Sequence, residues 1–146
     1  MNVGDLCDRH VVTVTMDAPL SDVAQRMSTE HVGAMVVTAG DGYAMRVVGV
    51  ITDRDIVRAQ LERTSDLTSL SAGQTMTANP LVLEERESIE GAIAHLRARG
   101  VRRAPVITAA GAPIGLISVD DLLMHLATTL VGAAAIVAQQ VRKERA

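Results

Sequence analysis

Short apolar runs rich in β-branched residues alternate along this chain with stretches in which apolar residues recur every three or four positions. Val11-Val12-Thr13-Val14 has the first pattern and predicts a strand. Leu20, Val23, Ala24 and Met27 have the second and predict a helix, with Asp17 or Ala18 near its cap and Pro19 in its first turn. His31-Val32-Gly33 breaks that helix. Ala34 to Thr38 and Ala44 to Ile51 then read as two strands of a hairpin around the Ala39-Gly40-Asp41-Gly42 turn. A second helix is expected from Asp53 to about Leu61, giving the order β-α-β-β-α.

The polar stretch from Glu62 to Thr75 reads as a linker, and the same order then repeats. Leu81-Val82-Leu83 is a strand. Ser88 caps a helix carrying Ile89, Ala92, Ile93 and Leu96, which Gly100 stops. Arg103 to Ile107, with Pro105 inside it, and Pro113 to Ile117 are strands around the Ala110-Gly111 turn. A last helix runs from Val119 to Arg145, about 40 Å at 1.5 Å per residue. Leu123, Leu126, Leu130, Ala133 or Ala134, Val137 and Val141 form one stripe along it, longer than the repeat needs. Gly132 and the alanines after it allow close helix–helix approach, so this segment is expected to pack on another subunit, the alternative being a helix folded back on its own domain.

The junctions between strand and helix are the most alike parts of the two halves. Gly49-Val50-Ile51-Thr52-Asp53-Arg54-Asp55 is matched by Gly115-Leu116-Ile117-Ser118-Val119-Asp120-Asp121. In each, an apolar strand runs into the first turn of a helix, where free backbone N–H groups and the positive end of the helix dipole collect. Thr52 with Asp55, and Ser118 with Asp121, have the spacing of a capping box. Two units of this size cannot bury both faces of their sheets alone, which favours packing them about a pseudo-twofold axis. The expected organisation is therefore a first unit over residues 1–62, a linker over 63–75, a second unit over 76–127 and a helical extension over 128–146.

Composition narrows the chemistry. Of 146 residues 48 % are apolar, enough for a core, but Tyr43 is the sole aromatic, so that core is aliphatic and bases would find no stacking platform. A net charge of −3 gives no general attraction to nucleic acid or anionic membrane. The single cysteine, Cys7, excludes an intrachain disulfide and suits a reducing cytoplasm. No leader is expected at the N-terminus. The uncharged apolar run from Leu126 to Ala138 is shorter than the roughly 20 residues a bilayer span needs. The four histidines lack metal-ligand spacing and read as surface or helix-end residues, and no catalytic triad, phosphate loop or paired-carboxylate pattern stands out.

Two β-α-β-β-α repeats, each ending Gly-x-Ile-(Thr/Ser)-x-x-Asp, resemble a stand-alone tandem pair of CBS domains, the family called after cystathionine β-synthase. Gly4-Asp5-Leu6-Cys7, Gln74-Thr75-Met76 and Arg102-Arg103-Ala104-Pro105-Val106 extend the likeness over about residues 4–127. The resemblance implies an α/β fold of the α+β type and a regulatory, non-enzymatic module. Its ligand would be AMP, ADP, ATP or S-adenosylmethionine, bound in clefts between the repeats, with no cofactor or metal required. Asp55 and Asp121 would then hold a ribose diol, with Thr52 and Ser118 beside the ribose or phosphate. Arg102 and Arg103, one of them facing the cleft, and Arg54 would meet phosphate. Because Gly33 and Ala34 match the two arginines in the first half, the sites are expected to differ. The base would lie between aliphatic side chains: Val12 or Val14 with Ile51, and Leu83 with Ile117. A homodimer and a protein partner, but neither nucleic acid nor membrane, would complete the picture. Two other readings are a ligand-free dimerisation module with empty clefts, and a small enzyme acting on a nucleotide through Asp55 or Asp121, which lacks any activated nucleophile.

Overall fold

The computed structural model describes residues 1–63 and 66–145; Thr64 and Ser65 of the expected linker, and Ala146, lie outside the described residues. Among the described residues seven strands form two sheets. The chain begins with a short helix α1 (Val3–Leu6), followed by β1 (Thr13–Thr15), α2 (Leu20–Glu30), β2 (Ala34–Ala39), β3 (Arg46–Thr52) and α3 (Asp53–Arg63). The second half repeats this with α4 (Ala72–Thr75), β4 (Thr77–Ala78), β5 (Leu83–Glu84), α5 (Ile89–Arg99), β6 (Arg103–Ile107), β7 (Pro113–Ser118) and α6 (Val119–Glu144). The first sheet has the order β1-β2-β3-β4 and the second β5-β6-β7. In each, the crossover helix joins a parallel pair and the hairpin an antiparallel one. Both hairpins shift register at equivalent places, between Val37 and Thr38 and between Val106 and Ile107.

The helix ends repeat as well. Asn2 with Asp5 and Ser71 with Gln74 are matching capping boxes on α1 and α4. His31 and Gly100 end α2 and α5 in the left-handed conformation, at φ 55° and 64°. The break in α2 thus falls on His31 itself rather than on Gly33. Its start also differs from expectation. Pro19 occupies the cap position, with no side-chain hydrogen bond, and neither Asp17 nor Ala18 serves. The reason is tertiary: the backbone N–H of Leu20 donates to the Leu70 carbonyl at 2.9 Å, so the linker does the work of a cap.

The halves are laced together by a reciprocal exchange. The N–H groups of Val3 and Gly4 donate to the carbonyls of Glu87 and Glu85, in the second half. Those of Ala72 and Gly73 donate to Ala18 and Met16, in the first. Accordingly Val3 and Cys7 join Leu83, Leu96, Val106 and Ile117 in one aliphatic core, while Leu70 and Ala72 join Leu20, Met35, Val37 and Ile51 in the other. Strand β4 likewise pairs with β3, as Asp8 bridges to Leu116. The exchange places the two strand-to-helix junctions in pseudo-twofold relation.

Helix α6 departs from this symmetry. Its first turn is held by a capping box between Ser118 and Asp121 and by buried Leu122, but the apolar stripe beyond lies in the open, with Leu130 71 % and Val137 63 % exposed. By length and composition alone the whole 26-residue helix is also apolar enough to cross a membrane, although its uncharged run is shorter.

Candidate functional site

Thr52 ends β3 and Asp55 stands in the first turn of α3. The Thr52 N–H and hydroxyl both donate to Asp55 Oδ2, at 2.8 and 2.9 Å, and the Asp55 N–H donates back to Thr52 Oγ1 at 3.2 Å. At the second junction Ser118 donates to Asp121 Oδ2 at 2.7 Å from its N–H and 2.6 Å from its hydroxyl, and the return bond is 3.2 Å. Each carboxylate thus spends one oxygen on its own helix cap. The capping roles of these residues are geometric facts, and each cap is worth about 1 kcal/mol.

Two clefts open beside the junctions, and each is built from both halves. The larger, about 590 Å³, brings Val50, Thr52 and Arg54 of the first junction against Thr77, Pro80 and Leu81 and against the segment Arg99 to Arg103. The smaller, about 290 Å³, brings Leu116, Ser118 and Asp121 against Asp8 and His10 and against the segment His31 to Ala34. Val50 and Leu116, Thr52 and Ser118, Thr77 and Asp8, and the segments Gly100 to Arg103 and His31 to Ala34 are equivalent positions, so the pseudo-twofold relates cleft to cleft. Asp121 lines the smaller cleft, whereas among residues lining the larger one Thr52 and Arg54 appear without Asp55.

The arginines gather as expected, with one correction. Arg102 and Arg103 both line the larger cleft, not just one of them. Arg102 precedes β6 and so escapes the alternation that a strand imposes. Arg54 and Arg99 join them, opposed by Asp53 and Asp120. Arg102 and Asp120 form an ion pair at 3.5 Å with both side chains largely exposed, a geometry worth at most about 1 kcal/mol. Arg103, Ser118 and Asp120 border both clefts.

The aliphatic residues expected around a base lie elsewhere. Val12, Val14 and Ile51 are buried in the first core, and Leu83 and Ile117 in the second. Ile117 still backs the smaller cleft from below, fully buried. Strand alternation accounts for the difference: where Ile51 turns inward, its neighbour Val50 turns to the cleft, and Leu116 does the same beside Ile117. Val50, Pro80, Leu81 and Val101 are therefore the apolar lining that sequence reasoning missed, together with Arg99, Asp8, His10 and His31. The 69-residue offset that relates Gly4 to Gly73 also relates Asp8 to Thr77, which is the signal that leads to them.

Other polar groups are structural. Burial pushes the Cys7 thiol above its ordinary pKa despite the opposing charge of Arg9. A hydrogen bond from the Thr15 side chain holds the Asp17 carboxyl below its usual value, and the Thr68 backbone N–H does the same for Asp66. His95 contacts Glu87 at 2.6 Å on the surface, and His10 lies 3.5 Å from Glu30. Among the described residues no three His, Cys, Asp or Glu side chains converge on a cation position.

With this geometry established, comparison with known proteins gives a consistent family. The model of the CBS domain matches twice, over residues 3–62 and 72–128. The chain is 32 % identical over 119 residues to arabinose 5-phosphate isomerase KpsF of Escherichia coli, a match covering 82 % of this chain and 35 % of that enzyme. It thus spans about a third of the length of that relative. Among solved structures, the CBS domain pair of protein MJ0100, in complex with 5′-methylthioadenosine and S-adenosyl-L-methionine, superposes with a TM-score of 0.74 at 16 % identity, over 88 % of this chain and 98 % of that one. CBSX2 in complex with AMP gives a TM-score of 0.71 at 24 % identity, over 88 % and 97 %.

Proposed function

Because the chain belongs to the CBS domain family, carrying two of its repeats, we propose that it is a regulatory module whose larger cleft binds an adenosine nucleotide. The observation that carries the reading is the convergence of Arg54, Arg99, Arg102 and Arg103 on the N-terminus of α3, beside an apolar wall of Val50, Pro80, Leu81 and Val101. Guanidinium groups and a helix N-terminus suit phosphate, and the aliphatic wall suits an adenine held without aromatic stacking. Thr52 lines this cleft, and Asp55 behind it accepts the Thr52 N–H and hydroxyl hydrogen bonds that fix that hydroxyl for a ribose. AMP bound to CBSX2, and the adenosine compounds bound to the MJ0100 pair, support the same ligand class.

The module acts by linkage rather than by turnover. A ligand that prefers one arrangement of the repeats stabilises it by about 2.7 kcal/mol at a hundredfold excess over Kd, and a protein partner reads the surface that results. In this proposal the protein is cytoplasmic and dimeric, joined through α6. The competing reading, an interaction module with empty clefts, is favoured by one observation, the exposed apolar stripe of α6.

Calorimetric titration with AMP, ADP, ATP, S-adenosylmethionine and NAD separates the two. Saturable binding of a nucleotide is expected, weakened about fivefold by Asp55→Ala, which frees the Thr52 hydroxyl and loosens the first turn of α3 that lines the cleft. Absence of heat with every compound, on folded protein free of co-purified ligand, leaves the interaction module as the surviving reading.

A further inference from the structure

The exposed seam of α6 reads nearly the same from either end. Leu123, Leu126, Leu130, Ala134, Val137 and Val141 follow one another at spacings of 3, 4, 4, 3 and 4 residues, an 11-residue pattern given twice. That period is close to the natural turn of an α-helix, so the seam runs almost straight along it. All six side chains are exposed. Bulk is divided unevenly among them, with leucine in the first half and alanine and valine in the second.

Two such helices can meet in either direction, and the directions are not equivalent. In a parallel pair leucine meets leucine at one end and Ala134 meets Ala134 farther on, which wedges the helices apart and leaves a void. In an antiparallel pair Leu123 faces Val141, Leu126 faces Val137 and Leu130 faces Ala134. Every layer then joins a large side chain to a smaller one. Charge makes the same choice. Asp120 in the first turn and Arg142 and Arg145 at the far end lie on one flank of the seam. Reversing one helix brings like flanks together, and the register that matches the seam sets Asp120 opposite those two arginines. Parallel pairing gathers carboxylates at one end and guanidinium groups at the other.

The body supplies a seat for the second helix. Leu123 and Leu126 also line an apolar groove of about 320 Å³ between α5 and α6, with Ile93 and Val101 on its other wall. Groove and seam are thus one continuous apolar surface, a trough near the body and a bare helix beyond it.

We infer that the occupant of this groove is the distal half of α6 from a second copy, laid antiparallel. Val137 and Val141 of the partner subunit enter beside Leu126 and Leu123, and Arg142 and Arg145 of the partner subunit meet Asp120. The twofold makes the exchange reciprocal, so both grooves and both distal halves are covered at once. This rests on the dimer joined through α6 proposed above, and adds its direction, its register and the place where each distal helix docks.

Disulfide cross-linking of the full chain under mild oxidation tests the arrangement. The wild type is the blank, because Cys7 is buried. Leu123→Cys and Val141→Cys each change an exposed side chain. In the antiparallel pair two copies of either position stand about 27 Å apart at 1.5 Å per residue, so each variant alone stays unlinked. Mixed in equal amounts, the two variants give a covalent dimer. Sedimentation supplies a second readout: Arg142→Glu with Arg145→Glu loosens association about threefold to tenfold at low salt, and by less at high salt. Linkage of either variant to itself, a mixture that stays unlinked while the protein sediments as a dimer, or a charge variant that associates as tightly as wild type overturns the inference and leaves the α6 dimer standing. A full chain that sediments as a monomer removes both, without touching the nucleotide reading.

Discussion

Gly115 and Gly49 show how tightly the exchange between halves is packed. A Cβ built on Gly115 would come within 2.6 Å of Cys7 Sγ and 2.7 Å of the Asp8 carbonyl oxygen, and one on Gly49 would strike the sulfur of Met76. Each motif glycine therefore makes room for a sulfur delivered by the exchanged segment. The Asp8 contact is backbone and cannot swing aside, so Gly115→Ala is expected to cost about 1–3 kcal/mol, the usual price of overpacking. Urea denaturation checks the magnitude. A thiol reagent at pH 8 checks the location, since lifting the 2–8 segment exposes a buried thiol whose thiolate is at present disfavoured. Unchanged stability together with unchanged labelling would remove this account. The glycines were legible as punctuation in a repeated pattern, and Thr52, Asp55, Ser118 and Asp121 as caps. The purpose of the glycines was not legible, because the atoms they accommodate lie some 30 to 110 residues away along the chain.

Helix α1 is too short to persist by itself. What holds residues 2–8 is the second half: donors from Val3 and Gly4 to its backbone, the two-way bond between Asp8 and Leu116, and fully buried Val3 against Leu83 and Ile117. Removing residues 1–8 should therefore weaken the distant unit rather than the adjoining one. The loss of a buried valine and of Cys7 from one core amounts to about 3 kcal/mol or more. Hydrogen exchange is expected to quicken in β6 and β7 while β2 and β3 keep their protection, and the opposite order would contradict the exchange. The kind and order of the elements of the two β-α-β-β-α repeats were readable from periodicity, with most boundaries falling within a residue or two, whereas α1, which reads as an entry turn, and β4 were not. Which sheet the entry segment joins was not, because both sheets offer an equivalent edge and the local pattern fits either. The same ambiguity explains the start of α2, where a hydrogen bond from Leu20 to Leu70 replaced the expected side-chain cap.

For the molecule as a whole, α6 is the part without a counterpart. Its 26 residues extend about 39 Å at the α-helical rise, and past the first two turns its apolar stripe is exposed. Leu126, Leu130, Val137 and Val141 recur at spacings that keep them on one seam, and Gly132 with the alanines after it keeps the seam narrow. Arg142, Lys143 and Glu144 end the helix in charge. The length and stripe were legible in the sequence; the surface that covers the stripe was not, because its complement does not lie among the residues of one chain. In the proposed assembly that complement is the same helix of a second copy. Deleting residues 130–146 is then expected to convert a dimer to a monomer in sedimentation while leaving the melting of the body nearly unchanged, since no residue beyond Leu122 in α6 belongs to either core. Nucleotide affinity in the larger cleft should survive the deletion, because its lining ends at Asp120. A full-length monomer that floats with lipid vesicles would assign the stripe to a membrane instead, a use its length and composition also permit. A dimer that persists without residues 130–146 would move the interface to the grooves between α2 and α3 and between α5 and α6, where Ile56 and Val57 on one side and Leu122 and Leu123 on the other line matching apolar surfaces.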